Sequence, residues 1–303
     1  MISMTITASQ VKELREKTGV GMMECKKALE ENSGNMEKAI LWLRERGMSR
    51  AAKKADRVAA EGLVEVYVND DLNAAAVLEL NCETDFVSKN DDFRKFAHDC
   101  ALIALKNNLS SADELLAAKM ASGATVKTTL TEMIAKIGEN MNVRRCTVLK
   151  APNGVIAGYT HMGGKIGTLV MLEGGTKNDA LVTLGKDIAM HVAAAAPRYM
   201  TSSEVDTSEL EQERELARKK LIEEKKPEAM IEKILEGQMK KFFKEVCLVD
   251  QAFVKDPDMN IATLVQKQGG GAKLVKFVRY HLGEGIEKRE TDFAAEVAAQ
   301  LKQ

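Results

Sequence analysis

The chain has 303 residues, 45% of them apolar, which is enough for two to four packing units with cores of their own. Its 44 basic and 45 acidic side chains nearly cancel, so the electrostatic basis for a general nucleic-acid binder is missing, although a local basic patch stays open. Cys25, Cys82, Cys100, Cys146 and Cys247 are dispersed without any C-x-x-C spacing, which argues against a disulfide framework or a zinc cage; no signal pattern or bilayer-length apolar run occurs, so a soluble cytoplasmic protein is expected.

Residues 1–57 read as three short helices. Thr7 or Ser9 can cap the first, which carries Val11 and Leu14 on one face and breaks at Gly19-Val-Gly21. The second runs from Met22 to Glu31 and stops at Asn32-Ser-Gly34. The third sets Met36, Ile40 and Leu43 on one face, with Gly47 as its expected end. Such a bundle buries little surface, so it should lean on a partner or behave as a tethered module. Arg50, Lys53, Lys54 and Arg57 then follow among alanines, as in a solvated connecting helix.

The periodicity changes at Gly62. Leu63–Val68 alternates like a half-buried strand, Asn69-Asp-Asp71 supplies a turn, and Ala74–Cys82 returns as a second strand. A helix from Asp91 places Phe93, Phe96, Cys100 and Ile103 on one side. The plan then recurs: Gly62–Tyr67 matches Gly154–Tyr159, Val77–Glu79 matches Leu169–Met171, and Asn90-Asp91 matches Asn178-Asp179, which points to duplication. The expected class is α+β, with related core subdomains over 58–143 and over 144–202 with 247–286. The second is interrupted at 203–246 by a Glu- and Lys-rich stretch. It carries Leu210, Ala217 and Leu221 on one arm, and Ile231, Ile234, Met239 and Phe242 on the other. Lys225-Lys-Pro227 breaks the arms into an antiparallel coiled-coil hairpin. Ala272–His281 alternates as a further strand, and a terminal helical module over 287–303 carries Phe293, Val297 and Leu301.

Catalytic chemistry finds no obvious seat. His98, His161, His191 and His281 have no ligand spacing, and His161-Met-Gly-Gly-Lys165 lacks the upstream Gly and the Ser/Thr of a phosphate loop. Gly19-Val-Gly21 follows a helix, which is wrong for a dinucleotide site. Neither a metal nor a cofactor is expected.

The two copies differ most between second strand and helix, where copy two has Gly174-Gly-Thr-Lys177 and copy one has Glu83-Thr-Asp-Phe-Val-Ser-Lys89. Phe86 is a large apolar side chain in a position where loops are usually polar. It either folds back onto its own core or serves as an anchor inserted into a partner.

Asn81-Cys-Glu-Thr-Asp-Phe-Val87 resembles the N-C-x-T-D-F-V signature of the elongation factor Ts family, and Thr18–Leu29 resembles that family's N-terminal signature. Lys136-Ile-Gly-Glu-Asn140, Ala189-Met-His-Val192, Gly283-Glu-Gly-Ile-Glu287 and Thr291–Val297 extend the similarity over nearly the whole chain, in order. The resemblance implies an N-terminal ubiquitin-associated-like three-helix domain and a non-enzymatic guanine-nucleotide exchange factor. Its implied partner is elongation factor Tu, the translation GTPase, in its GDP-bound and nucleotide-free forms, without direct contact to nucleic acid or membrane. It further implies that Thr84, Asp85, Phe86 and Val87 act near the magnesium site of Tu. Met22, Met23, Cys25 and Lys26 in the first module, and Ile137 and His161 in the core, are the further contacts it implies.

Overall fold

The computed structural model describes residues 6–287, so the expected terminal helix and Met1-Ile-Ser3 lie outside the described residues. Helices and sheets mix as an α+β class requires, in two compact units. One holds residues 6–65, 78–146 and 281–287, and the other holds 66–77 and 147–280.

The first unit begins with three helices, α1 (Ala8–Thr18), α2 (Met22–Glu31) and α3 (Met36–Lys54). Thr7 starts α1 through a capping box with Gln10, and Gly19 ends it in the left-handed region at φ +67°, a conformation that suits glycine. Asn35 caps α3 by accepting from the Lys38 N–H. The apolar faces of the three helices close on Leu14, Cys25, Ala28, Leu29 and Leu43.

There follow β1 (Glu61–Val68), β2 (Ala74–Cys82), the single turn α4 (Asp85–Ser88), α5 (Asp91–Asn107), α6 (Ala112–Ala117), α7 (Val126–Ile137) and β3 (Met141–Lys150). The sheet order is β1-β2-β3. The eight residues of β2 from Ala75 to Cys82 are all buried, which is why the strand reads as an apolar run. The segment expected to be an open loop after β2 contains α4. Nor does Gly47 end its helix: α3 continues seven residues further, to Lys54. A Cβ at Gly47 would stand 3.1 Å from the Cβ of Ala135 on α7, so the missing side chain lets two helices cross closely. That close approach offsets the ~1 kcal/mol that glycine costs inside a helix. The bundle is therefore seated on α7 rather than loosely tethered, and the connection, exposed at Lys53 and Arg57, is held at two points: Arg50 pairs with Glu24 at 2.7 Å, and the Lys54 ammonium donates to the Gly138 carbonyl.

In the second unit β4 (Gly154–His161), β5 (Ile166–Glu173) and α8 (Asp179–Ala195) repeat the plan of β1, β2 and α5. β4 and β5 pair antiparallel from Gly154 opposite Glu173 to His161 opposite Ile166. A Cβ at Gly62 would collide with the carbonyl oxygen of Leu80, and one at Gly154 with that of Leu172, so both first strands need glycine for the same close approach. Asn90 and Asn178 cap α5 and α8, helices of equal length, 17 residues. Next come α9 (Thr207–Glu223) and α10 (Glu228–Val246), joined through Lys225 at φ +57° and Pro227. This hairpin holds two apolar clusters. Leu221, Ile231 and Leu235 lie toward the tip, while Val205, Phe242, Val246 and Cys247 lie at the base. The last described elements are β6 (Ala252–Phe253), β7 (Asp256–Asn260), α11 (Ile261–Gln268) and β8 (Lys273–His281), in a sheet of order β4-β5-β8 and a two-stranded ribbon β6-β7. No helix among the described residues is long and apolar enough to cross a membrane.

Candidate functional site

The segment that distinguishes copy one is built upward from the end of β2. Cys82 is buried, and its thiol donates to the Thr84 carbonyl at 3.1 Å. Thr84 is extended at the N-terminus of α4 and is gripped twice by Glu139: its N–H donates to Oε2 at 3.0 Å and its hydroxyl to Oε1 at 2.6 Å. Glu83 accepts the Asn140 N–H at 2.5 Å. On the far side the Ser88 hydroxyl donates to the Asp85 carbonyl at 2.7 Å, and Arg94 Nε to the Ser88 carbonyl at 3.1 Å. Val87, 7% exposed, points inward as the apolar foot of the turn. Phe86, on the same turn, is 79% exposed. The side chain therefore does not fold back onto its own core, and the alternative that it packs internally is set aside.

Asp85 and Lys89 flank the ring in an exposed pair at 2.6 Å, and the Lys89 ammonium stands 5.9 Å from the ring centroid. An exposed i,i+4 pair contributes under about 1 kcal/mol, so Asp85 can leave Lys89 for another partner at small cost.

Residues 138–140 also hold the end of α3. The Asn140 side-chain amide donates to the Ala55 and Arg57 carbonyls at 3.2 and 2.8 Å. Lys136, in the last turn of α7, pairs at 2.8 Å with Asp92 at the start of α5 and holds that carboxyl below its ordinary range. Two stretches marked out in the sequence, 81–87 and 136–140, thus meet in one site. Ile137 is half-buried at the end of α7, next to this junction.

The remaining expected contacts fall elsewhere. Met22 and Met23 begin α2 with 42% and 78% of their surface exposed, and Lys26 is exposed in a loose 3.7 Å pair with Glu30. Cys25 is fully buried, its thiol donating to the Val20 carbonyl at 3.4 Å, and burial raises its pKa. Its part is to pack the bundle beneath the methionines, and it offers no contact surface. His161 belongs to the second unit, where it ends β4 exposed, with Nδ1 2.9 Å from the Tyr159 hydroxyl. Glu83, Glu139 and Asn140 were not among the expected site residues. The signatures at 81–87 and 136–140 contain all three but give no role to them, because their partners are more than fifty positions away along the chain.

A second buried cluster braces the same strand. Glu79 on β2 accepts from Arg144 (3.0 Å), Arg145 (2.6 Å), Asn81 (3.0 Å) and the Gly283 N–H (2.8 Å). Burial alone would raise its pKa, but these donors outweigh it and hold the carboxyl below its usual value.

The profile of the family described as Elongation factor TS matches residues 83–284 of the chain. Elongation factor Ts of Clostridium novyi is 50% identical over 304 aligned residues, covering 98% of this chain and 99% of its own length. The protein of the same name from Clostridioides difficile is 49% identical over 301, and that from Clostridium acetobutylicum 48% over 303, each with 98% and 99% coverage.

Proposed function

The chain belongs to the elongation factor Ts family, whose members serve translation elongation in protein biosynthesis, and from that premise we propose that it binds elongation factor Tu and expels its GDP. The observation that carries this reading is Phe86: a large apolar ring, 79% exposed, on a turn whose every flank is hydrogen-bonded. A phenylalanine so exposed adds little to the packing of the free protein. Buried in a partner it contributes ~1.5–3 kcal/mol, and a prepaid conformation keeps the ordering cost low.

In this reading the mechanism runs through the ring. Phe86 wedges between helices of Tu, and Asp85, released from Lys89, disturbs the network around magnesium. Magnesium bound with a nucleotide demands near-octahedral oxygen geometry and is held by few protein groups, so a small displacement loosens it and the phosphates follow. Coupling is reciprocal: GDP weakens the binding of this chain to Tu by the factor by which the chain weakens GDP. No bond is made or broken, so the chain acts as an exchange factor rather than an enzyme. Met22, Met23, Lys26, Ile137 and His161 widen the contact, the flexible thioethers suiting an adaptable surface.

The test is release of labelled GDP from Tu with and without the protein. Binding without faster release would reduce the chain to a scaffold and remove the wedge.

A further inference from the structure

We infer that Glu139 is a positioning residue for nucleotide exchange, its carboxylate setting the attitude at which α4 presents Phe86; this rests on the exchange reading above. Both oxygens of one carboxylate close on one residue, Thr84, at 3.0 and 2.6 Å, and Thr84 is the last extended residue before the turn. A helix of four residues has barely one turn of intrahelical hydrogen bonds to hold its direction. The Thr84 N–H is among the donors that such a helix start leaves unsatisfied, and Thr84 makes no side-chain cap to its own helix. Glu139 therefore supplies from outside what α4 lacks within.

The neighbouring residue completes the fixture. Asn140 donates its backbone N–H to Glu83 and its side-chain amide to the Ala55 and Arg57 carbonyls, while Lys54 reaches the Gly138 carbonyl. Three consecutive residues, 138–140, thus tie the mount of Phe86 to the end of the helix that carries the N-terminal bundle. Glu139 touches neither nucleotide nor Tu in this scheme. Its effect runs through the ring, because a wedge misplaced by an ångström fails in the transition state more than in the encounter.

The experiment titrates full-length protein against Tu loaded with labelled GDP and separates the saturating release rate from the half-saturating concentration. Glu139→Ala is expected to lower the saturating rate roughly tenfold while half-saturation stays within about twofold. Thr84→Val, which removes only the hydroxyl arm of the grip, should fall in the same direction, and Thr84→Ser, which keeps that hydroxyl, should fall less. The decisive arm is the pair: Phe86→Ala with Glu139→Ala should be no slower than Phe86→Ala alone, since a residue acting through the ring has nothing left to position. Should Glu139→Ala melt early, Thr84→Val and its pairing with Phe86→Ala carry the same test. A parent-like saturating rate in Glu139→Ala, or losses that multiply in the pair, overturns the inference while leaving exchange standing. A parent protein that does not accelerate release overturns both.

Discussion

Phe86 and Glu79 sit only seven positions apart and make opposite demands on the molecule. Phe86 is mostly in solvent, so Phe86→Ala should leave the melting temperature unchanged and slow stimulated GDP release strongly. A lowered melting temperature with exchange intact would return the ring to a packing role. Glu79 is fully buried, with four groups donating to it. Glu79→Gln removes the anion that Arg144 and Arg145 share, although Arg145 keeps Glu284 at 3.3 Å, and should cost about 1–3 kcal/mol in urea unfolding near neutral pH. Its folded pKa lies below the unfolded value of ~4.3, so its stabilisation is complete above that value and is lost as pH falls through the lower folded one. The gap between parent and Glu79→Gln should hold from about pH 8 to 5 and narrow below about pH 4; a gap unchanged in stronger acid would remove Glu79 as its source. Of these residues the sequence made only Phe86 conspicuous, because chemistry unfit for a polar loop is visible locally. Cys25 gave no sign of its full burial, since a thiol suits a core as well as a contact. Glu139 stood in a marked stretch, 136–140, but its role was opaque because its meaning lies in a partner 55 positions away.

At the scale of elements, caps and breakers were legible and crossings were not. Thr7, Asn35, Asn90 and Asn178 act on their own helices, so their roles are written within a turn of where they stand. Gly47 carries the same letter as a helix end, yet here serves the crossing with Ala135, a fact about α7 rather than about its neighbours. α6, α7, β3 and α11 passed without expectation, β3 in part because Arg144 and Arg145 mask its alternation by facing a buried carboxylate. The hairpin shows where such an element can be cut. Removing all of 203–246 would take Val205 and Phe242 from the basal cluster, whereas joining Glu213 to Lys240 by a short linker removes the distal cluster and keeps Leu210, Phe242 and Cys247. That shortened protein should fold by circular dichroism and reach the parent's saturating release rate at a higher half-saturating concentration. A folded variant unable to stimulate release at any concentration would make the hairpin part of the exchange step.

For the whole molecule, the three-helix start behaves as a packed part. Deleting residues 1–55 uncovers the α7 face at Ala135 and removes Lys54 from the Gly138 carbonyl, so the truncated protein should melt earlier as well as bind Tu more weakly. Calorimetry beside a binding titration checks this, and an unchanged melting temperature would restore the tethered module. Both units are assembled from separated stretches of chain, and Glu79 reaches far along it, to a donor, Gly283, that lies 204 residues onward. A ribosome delivers the chain from its N-terminus, so while the intervening residues are made that carboxylate exists without the backbone donor that finishes its site. Until Gly283 has emerged, the strand beneath the Phe86 turn is braced by the side chains of Asn81, Arg144 and Arg145 alone, and its backbone donor joins them only after 204 further residues have been made.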